Sequence, residues 1–255
     1  MRIVIADSET TGLVEPQACE IAFIELPEDF NEFRELDISN PIEFLTNHDL
    51  HSSVFEQRYR PTKAIDPRAS QVTGIYMKDL INCPSIKEFE YPKSTEVMIG
   101  HNIAYDWRVF GKPNVKLICT KELSQLVYSK ADGLANNKLT TIVEFLYKEE
   151  GKKLTLKAHG ALLDCKLVYL ILLKISRKLP QVQSWDDLVS LCSQGTRSYE
   201  ELSELSIPLT LMPIGKHGGK RFSEVPTDYL RWLNRQKDLS SALKLALETE
   251  LTLRQ

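Results

Sequence analysis

Ile3-Val4-Ile5-Ala6 runs directly into Asp7-Ser8-Glu9-Thr10-Thr11-Gly12-Leu13, and this junction constrains the fold more than any other part of the chain. Four small or branched apolar residues without polar alternation suit a strand buried on both faces, which requires helices on both sides of a sheet. Asp7 and Glu9 follow at a spacing of two. On an extended strand such positions share one side, so two carboxylates face one point beside an apolar core. Unpaired carboxylates held that close repel one another and resist desolvation. A hard divalent cation with oxygen ligands relieves both costs. A plain solvated strand end relieves them as well, and the pair alone leaves both readings open. Gly12 lets the following turn bring its backbone close to a ligand.

The 255 residues allow one sizeable domain and a small one. Cys19, Cys83, Cys119, Cys165 and Cys192 are odd in number and form no Cys-x-x-Cys pair. They read as reduced thiols of a cytoplasmic protein rather than a disulfide framework or zinc site. No signal peptide is expected, because Asp7 ends the short N-terminal apolar run. No membrane partner is expected either: the stretch from Leu167 to Ile175 is flanked by Lys166 and interrupted by Lys174, and is too short to span a bilayer. The net charge of −3 excludes a general pull toward polyanions. From Pro208 to Gln255, however, eight Lys or Arg stand against five Asp or Glu, so that segment is +3 and the rest is −6.

Further strands are expected at Glu20 to Leu26, Ser53 to Arg60, Glu96 to Gly100 and Lys116 to Thr120. Pro27 to His51 reads as an irregular insertion or lengthened hairpin. Short helical patches fall at Asp66 to Gln71 and Met77 to Ile81. The fourth strand runs into Gly100-His101-Asn102-Ile103-Ala104-Tyr105-Asp106. Asn102 suits a helix N-cap, which would put Asp106 one turn in, as a first-turn acid favoured by the helix dipole or as part of a site. Leu139, Ile142, Val143, Leu146 and Tyr147 have helical spacing, with Gly151 as a stop. His159 and Asp164 precede a strongly apolar helix to Ile175. The expected organisation is a domain over 1–178, a connector over 179–207 with helical pieces at Trp185 to Leu191 and Tyr199 to Leu205, and a small basic α+β module over 208–255. In that module two short strands are expected around a glycine turn between Leu211 and Phe222, and the helical spacing of Tyr229 and Trp232 suits core residues more than base-stacking platforms, the alternative reading. Strands alternating with helices argue α/β with helices on the sheet faces.

Asp7, Glu9, Asp106, His159 and Asp164 together resemble the DnaQ-like DEDDh 3′→5′ exonucleases, which have a ribonuclease H-like fold. Asp7-x-Glu9-Thr10-Thr11-Gly12-Leu13 matches the first motif, with Ser8 where Thr is commoner. Ser8 is expected to point away from the acid pair. Gly100-His101-Asn102-x-x-x-Asp106 matches the second motif, and His159-x-x-x-x-Asp164 the histidine form of the third. The resemblance covers about Met1 to Ser176. Gly215-Lys216-x-x-Gly219-Lys220 and Tyr229-Leu230-Arg231-Trp232-Leu233 are similar to the C-terminal segment of the exodeoxyribonuclease X subfamily.

The resemblance implies a mixed central sheet flanked by helices and a metal-dependent hydrolase. Two Mg²⁺ or Mn²⁺ ions would be held by Asp7, Glu9, Asp106 and Asp164, clamping the attacking and leaving oxygens. His159 would act as general base. Release of nucleoside 5′-monophosphates from single-stranded or frayed DNA 3′ ends would follow, with RNA 3′ tails as the alternative substrate and a non-catalytic binding module as the alternative of another class. Thr10, Thr11, Gly12, Leu13, His101 and Asn102 would meet the nucleic acid. Lys216, Lys220 and Arg221 would bind backbone phosphates or form a solvated tip. Relatives in this superfamily pair up, which leaves a homodimer open.

Overall fold

The computed structural model describes residues 1–47, 53–128, 132–156, 160–196, 212, 215–217, 220–236 and 241–254. Two compact units divide the chain, Met1–Ser193 and Gln194–Gln255.

The first unit is built on a five-stranded sheet. Its strands are β1 (Arg2–Thr10), β2 (Ala18–Leu26), β3 (Val54–Arg58), β4 (Thr95–Gly100) and β5 (Lys116–Cys119). They lie in the order β3-β2-β1-β4-β5. β1 pairs antiparallel with β2 and parallel with β4; β3 extends the sheet antiparallel on one side and β5 parallel on the other. β1 is therefore central and buried on both faces, as its unbroken apolar run requires. Ile3 and Ile5 join one core with Ala22, Ile24, Val97 and Ile99. Val4 and Ala6 join a second with Ile21, Phe23 and Met98.

The helices in order are α1 (Phe30–Glu35), α2 (Pro41–Asn47), α3 (Pro67–Thr73), α4 (Ala104–Val109), α5 (Thr120–Val127), α6 (Leu139–Thr155) and α7 (Ala161–Lys178). α7 lies on the Ile3/Ile5 face. It is apolar nearly all round because it packs on the sheet and against α5 and α6, and Leu167 to Leu173 are all fully buried.

The stretch from Pro27, expected to be irregular, forms α1 and α2 and buries Phe30, Phe33, Ile38 and Leu45 in the main core. Asp29 starts α1 by accepting the Asn31 amide at 2.8 Å. Residues 48–52, including His51, lie outside the description. α6 runs past Gly151 through a kink at Lys148, where φ is 53°. Gly151 is needed there for close approach, since a Cβ would meet the Val143 carbonyl oxygen at 2.5 Å.

The compact unit also extends beyond residue 178. α8 (Trp185–Thr196) sets the Trp185 ring 5.0 Å from Phe30 and 4.9 Å from Phe33, and its indole N–H reaches the carbonyls of Pro27 and Glu28. An indole buried with its N–H satisfied joins the segment to the core.

In the second unit, α9 (Thr227–Asn234) and α10 (Ser241–Leu253) pack together with Met212, Phe222 and Val225. The two short strands expected here fall largely on 211, 213, 214, 218 and 219, outside the description, as does the helix expected at Tyr199 to Leu205. The described residues form single 3₁₀ turns at Gly215–His217 and Phe222–Glu224, and the Met212 amide donates to the Lys220 carbonyl at 2.8 Å. No described helix is long and apolar enough to cross a membrane.

Candidate active site

The strand period decides where each acid goes. Asp7 and Glu9 continue the Ile3/Ile5 side of β1, the side covered by α7, and α7 carries Asp164 in its first turn. Carboxylate oxygens of Asp7, Glu9 and Asp164 lie within 4.8 Å of one another, and all three residues are half-buried. Asp106 comes near Asp7 by another route. β4 runs parallel to β1 in the register Ile5 to Ile99 and ends at Gly100, beside Ala6, so the turn into α4 lies next to the last, acid-bearing residues of β1. Gly100 permits this junction, because a Cβ there would meet the Ala6 carbonyl oxygen at 2.9 Å. Asn102 does not cap the helix as expected. It takes a left-handed conformation (φ 67°), and Ile103 occupies the cap position without a side-chain bond. Asn is among the residues that tolerate this region.

Asp106 is buried, 4% exposed, and accepts a 2.6 Å hydrogen bond from the Ser8 hydroxyl. Ser8 points away from Asp7 and Glu9 along β1, as expected, but Asp106 arrives on that far side. Ser8 is therefore part of the site.

Crowding of acids governs the electrostatics. Burial pushes the Asp7 carboxyl well above the usual range, and the neighbouring charges of Asp106, Asp164, Glu9 and Glu20 push it further. Glu9 is pushed up to about 7 by burial and by Asp164, Glu20 and Asp106. Asp106 is raised to about 7, chiefly by burial, although the Ser8 hydroxyl pulls the other way. Such a group is costly to keep ionised without a cation. Its donors are all carboxylate oxygens, which suits a hard divalent ion and not zinc-selective nitrogen or sulfur chemistry.

Glu20 lies opposite Glu9 on β2 and escapes sequence reasoning. It is buried and pairs with Arg58 Nε at 2.8 Å. Its second oxygen accepts the Ala161 amide at 3.0 Å, so it supplies the N-terminal acceptor that Gly160 cannot supply to α7. His159 lies with Lys157 and Ala158 outside the described residues; the chain resumes at Gly160.

The loop after β1 is held from several sides. Thr10 Oγ1 and the Tyr105 hydroxyl are 2.7 Å apart, and Tyr105 also donates to the Gly12 carbonyl. Thr11 is buried; its hydroxyl accepts the Gln17 amide and its carbonyl accepts the Asp66 amide. Gly12 has φ 136°, and a Cβ would lie 3.1 Å from Asp66 Cβ. Leu13 and Val14 form the tip, 87% and 82% exposed, while the Lys63 ammonium clamps the Val14 and Glu15 carbonyls.

His101 is turned inward. Its Nε2 lies 2.9 Å from the Asn137 carbonyl, which can only accept, so Nε2 carries the proton, and Nδ1 lies 3.1 Å from the Thr120 hydroxyl. Burial pulls its pKa down to about 4. A neutral ring with both nitrogens engaged braces the β4–α4 turn instead of offering a nitrogen to nucleic acid. Asn102, by contrast, is exposed. It lines an open groove of about 490 Å³ with Lys121, Gln125 and Lys138. Lys216, Lys220 and Arg221 are exposed on the second unit.

Four acids gathered at the end of the central strand of this mixed sheet define a nuclease of the ribonuclease H-like, DnaQ-like class. Residues 4–172 match the family RNase_T, described as Exonuclease; the chain belongs to this family and is a 3′→5′ exonuclease. Among solved structures it is similar to exonuclease X in complex with 5′-overhanging duplex DNA, with 19% identity and a TM-score of 0.52 over 73% of this chain and 99% of that one. It is also similar to the zinc-bound E. coli exonuclease I–single-stranded DNA complex, with 14% identity and a TM-score of 0.54 over 81% of this chain and 45% of that one. E. coli exonuclease I with a dA16 oligonucleotide gives 14% identity and a TM-score of 0.54, over 81% and 46%. The chain thus spans less than half of exonuclease I. No curated protein matches in sequence.

Proposed function

We propose that the chain is a metal-dependent 3′→5′ exodeoxyribonuclease that releases nucleoside 5′-monophosphates from single-stranded or frayed DNA 3′ ends. The convergence of the Asp7, Glu9 and Asp164 carboxylates within 4.8 Å, with Asp106 beside them, carries this reading. These four acids would hold two Mg²⁺ or Mn²⁺ ions, which when bound supply an activated water and charge neutralisation at the scissile phosphate. Ser8 holds the Asp106 carboxylate in one orientation, and Glu20 holds the start of α7, which carries Asp164. By resemblance His159 takes the proton from the attacking water, a role suited to an imidazole titrating near neutrality.

Thr10, Thr11 and Gly12 receive the terminal sugar on a loop whose backbone Tyr105 fixes, and the exposed Leu13 packs against a terminal base, whatever its identity, because every base has an apolar face. Asn102 and the groove beside it accept the phosphate backbone, and His101 supports Asn102 from behind. The segment 208–255 acts as a separate basic module in which Lys216, Lys220 and Arg221 bind phosphates. DNA is preferred over RNA on the strength of the neighbours, which are complexes with DNA.

The test is a 5′-labelled single-stranded DNA incubated with Mg²⁺, with EDTA, and as Asp7→Ala, beside a matched RNA. A ladder shortening from the 3′ end, lost with EDTA and with Asp7→Ala, supports the reading. Faster shortening of the RNA would make the enzyme an exoribonuclease.

A further inference from the structure

We infer that the second unit carries its own binding face for single-stranded nucleic acid, with Trp232 and Tyr229 as stacking surfaces among Lys216, Arg231 and Arg235. The inference rests on the proposal that nucleic acid is the substrate, and it gives a role to Trp232, whose ring the fold leaves more than half exposed on the half-buried Tyr229.

α9 has two faces. Leu230 and Leu233 are buried against Leu243, Ala246 and Leu247. Asp228, Arg231, Trp232 and Arg235, at i, i+3, i+4 and i+7, are exposed. The helical spacing of Tyr229 and Trp232 suggests a core pair; Tyr229 does pack, half-buried, against the Leu230/Leu233 core, whereas Trp232 turns outward. The Trp232 ring is 54% exposed. The other two tryptophans of the chain are committed to the fold: Trp185 is 1% exposed, and the Trp107 indole donates to the Pro113 carbonyl at 2.9 Å.

The Trp232 ring continues into a strip of contacts. Tyr229 lies 5.4 Å from it at 38°. His217 meets Tyr229 edge-on at 4.6 Å, and the Lys216 ammonium sits 5.1 Å from the Tyr229 centroid. Arg231 and the C-cap Arg235 are exposed on the same helix as the indole. Among the described acids nearby, one meets these cations, and that exposed pair is screened by solvent. Asp228 answers Arg231 at 3.8 Å, Glu224 is turned to the Arg221 amide, and Glu250 is taken by Arg254.

Flat rings alternating with cations of one sign fit a chain whose bases and phosphates also alternate. A single strand is the occupant, because stacking on Trp232 needs an unpaired base. An apolar protein partner would leave these cations unmatched.

The full chain in EDTA, where no turnover occurs, is titrated with a fluorescein-labelled oligo-dT of roughly 20 nucleotides, reading anisotropy and indole emission. Binding should quench tryptophan emission. Trp232→Ala should weaken affinity about 5- to 150-fold, and Trp232→Phe should restore most of it. Arg231→Ala with Arg235→Ala should lower the salt slope by about 1 to 2. Since Trp232 is exposed, thermal unfolding should not change, which separates binding from folding. Wild-type affinity in Trp232→Ala, or its conversion of an oligomer to a monomer with DNA affinity intact, would overturn the inference. Degradation of the same oligonucleotide by the wild type with Mg²⁺, beside unaltered binding by Trp232→Ala, would sink this inference alone. No degradation by the wild type would sink the nuclease reading beneath it.

Discussion

The Ser8 hydroxyl holds Asp106 from the opposite side of β1 to the one that bears Asp7 and Glu9, at 2.6 Å and across 98 positions of sequence. A buried carboxylate with a fixed donor keeps one orientation, and a hydrogen bond to a charged group contributes about 1.5–3 kcal/mol. Ser8→Ala should lower kcat about 10- to 100-fold with KM little changed, and Ser8→Thr, which keeps the hydroxyl, should retain activity. Steady-state kinetics on single-stranded DNA checks this; wild-type kcat in Ser8→Ala would show that Asp106 needs no such support.

Glu20 links β2 to the first amide of α7 and to Arg58. Glu20→Ala orphans the Ala161 amide, a loss of about 1–2 kcal/mol by analogy with a removed N-cap. Arg58 is half exposed and returns to solvent, so the ion pair adds little. Glu20→Gln keeps an acceptor and should recover most of the stability. Because the same amide fixes the start of the helix that carries Asp164, Glu20→Ala should also reduce Mg²⁺ affinity, which titration calorimetry reads directly. Equal melting temperatures for the Ala and Gln variants would argue that the amide bond contributes nothing.

The acids were legible because each rule behind them is local. A period of two puts Asp7 and Glu9 together, a strand-to-helix junction places Asp106, and the first turn of an apolar helix places Asp164. What stayed hidden depends on partners distant in sequence. Ser8 reads as pointing away because it does point away on β1; only the arrival of α4 makes that far side part of the site. Glu20 looks like any strand-end acid until Ala161, 141 positions later, is set beside it. Pro27 onward reads as irregular because helices of six and seven residues are too short to show a period, while Phe30 and Phe33 pack on the distant Trp185. Tyr229 and Trp232 share helical spacing with both faces of α9, and spacing alone does not say which face is wet. His101 matches its motif position, yet only the Asn137 carbonyl reveals that the ring faces inward.

Leu13 and Val14 contribute nothing measurable to folding, being almost fully exposed. Leu13→Ala with Val14→Ala should therefore leave the melting temperature within about 1 °C, in line with surface substitutions of less than about 0.5 kcal/mol. If the tip packs against the terminal base, the same pair should raise KM for single-stranded DNA several-fold and slow blunt duplex ends more than free strands, since a duplex end must first be opened. Parallel rates on the two substrates decide it; equal losses on both would make the tip a general contact with no role in end opening.

Asp7, Glu9 and Asp106 all have carboxyl pKa values raised above their unfolded ones, Glu9 and Asp106 to about 7, with burial the largest cause in each. Between the unfolded value of about 4 and the folded value, the folded chain holds more protons than the unfolded chain, so stability falls as pH rises through that window. The metal-free protein should be held back most above pH of about 7, where Glu9 and Asp106 ionise against one another. Asp106→Asn removes one of these ionisations, so its melting temperature relative to wild type should rise by a few degrees from about pH 5 to about pH 7.5 without metal; taking the difference cancels the rest of the chain's titration. Millimolar Mg²⁺ should reverse the order at the upper pH, stabilising wild type more than Asp106→Asn, because a cation binds the ionised cluster of the folded state alone. A difference that stays flat with pH, together with no Mg²⁺ effect, would mean that the acids do not share one charge-crowded site.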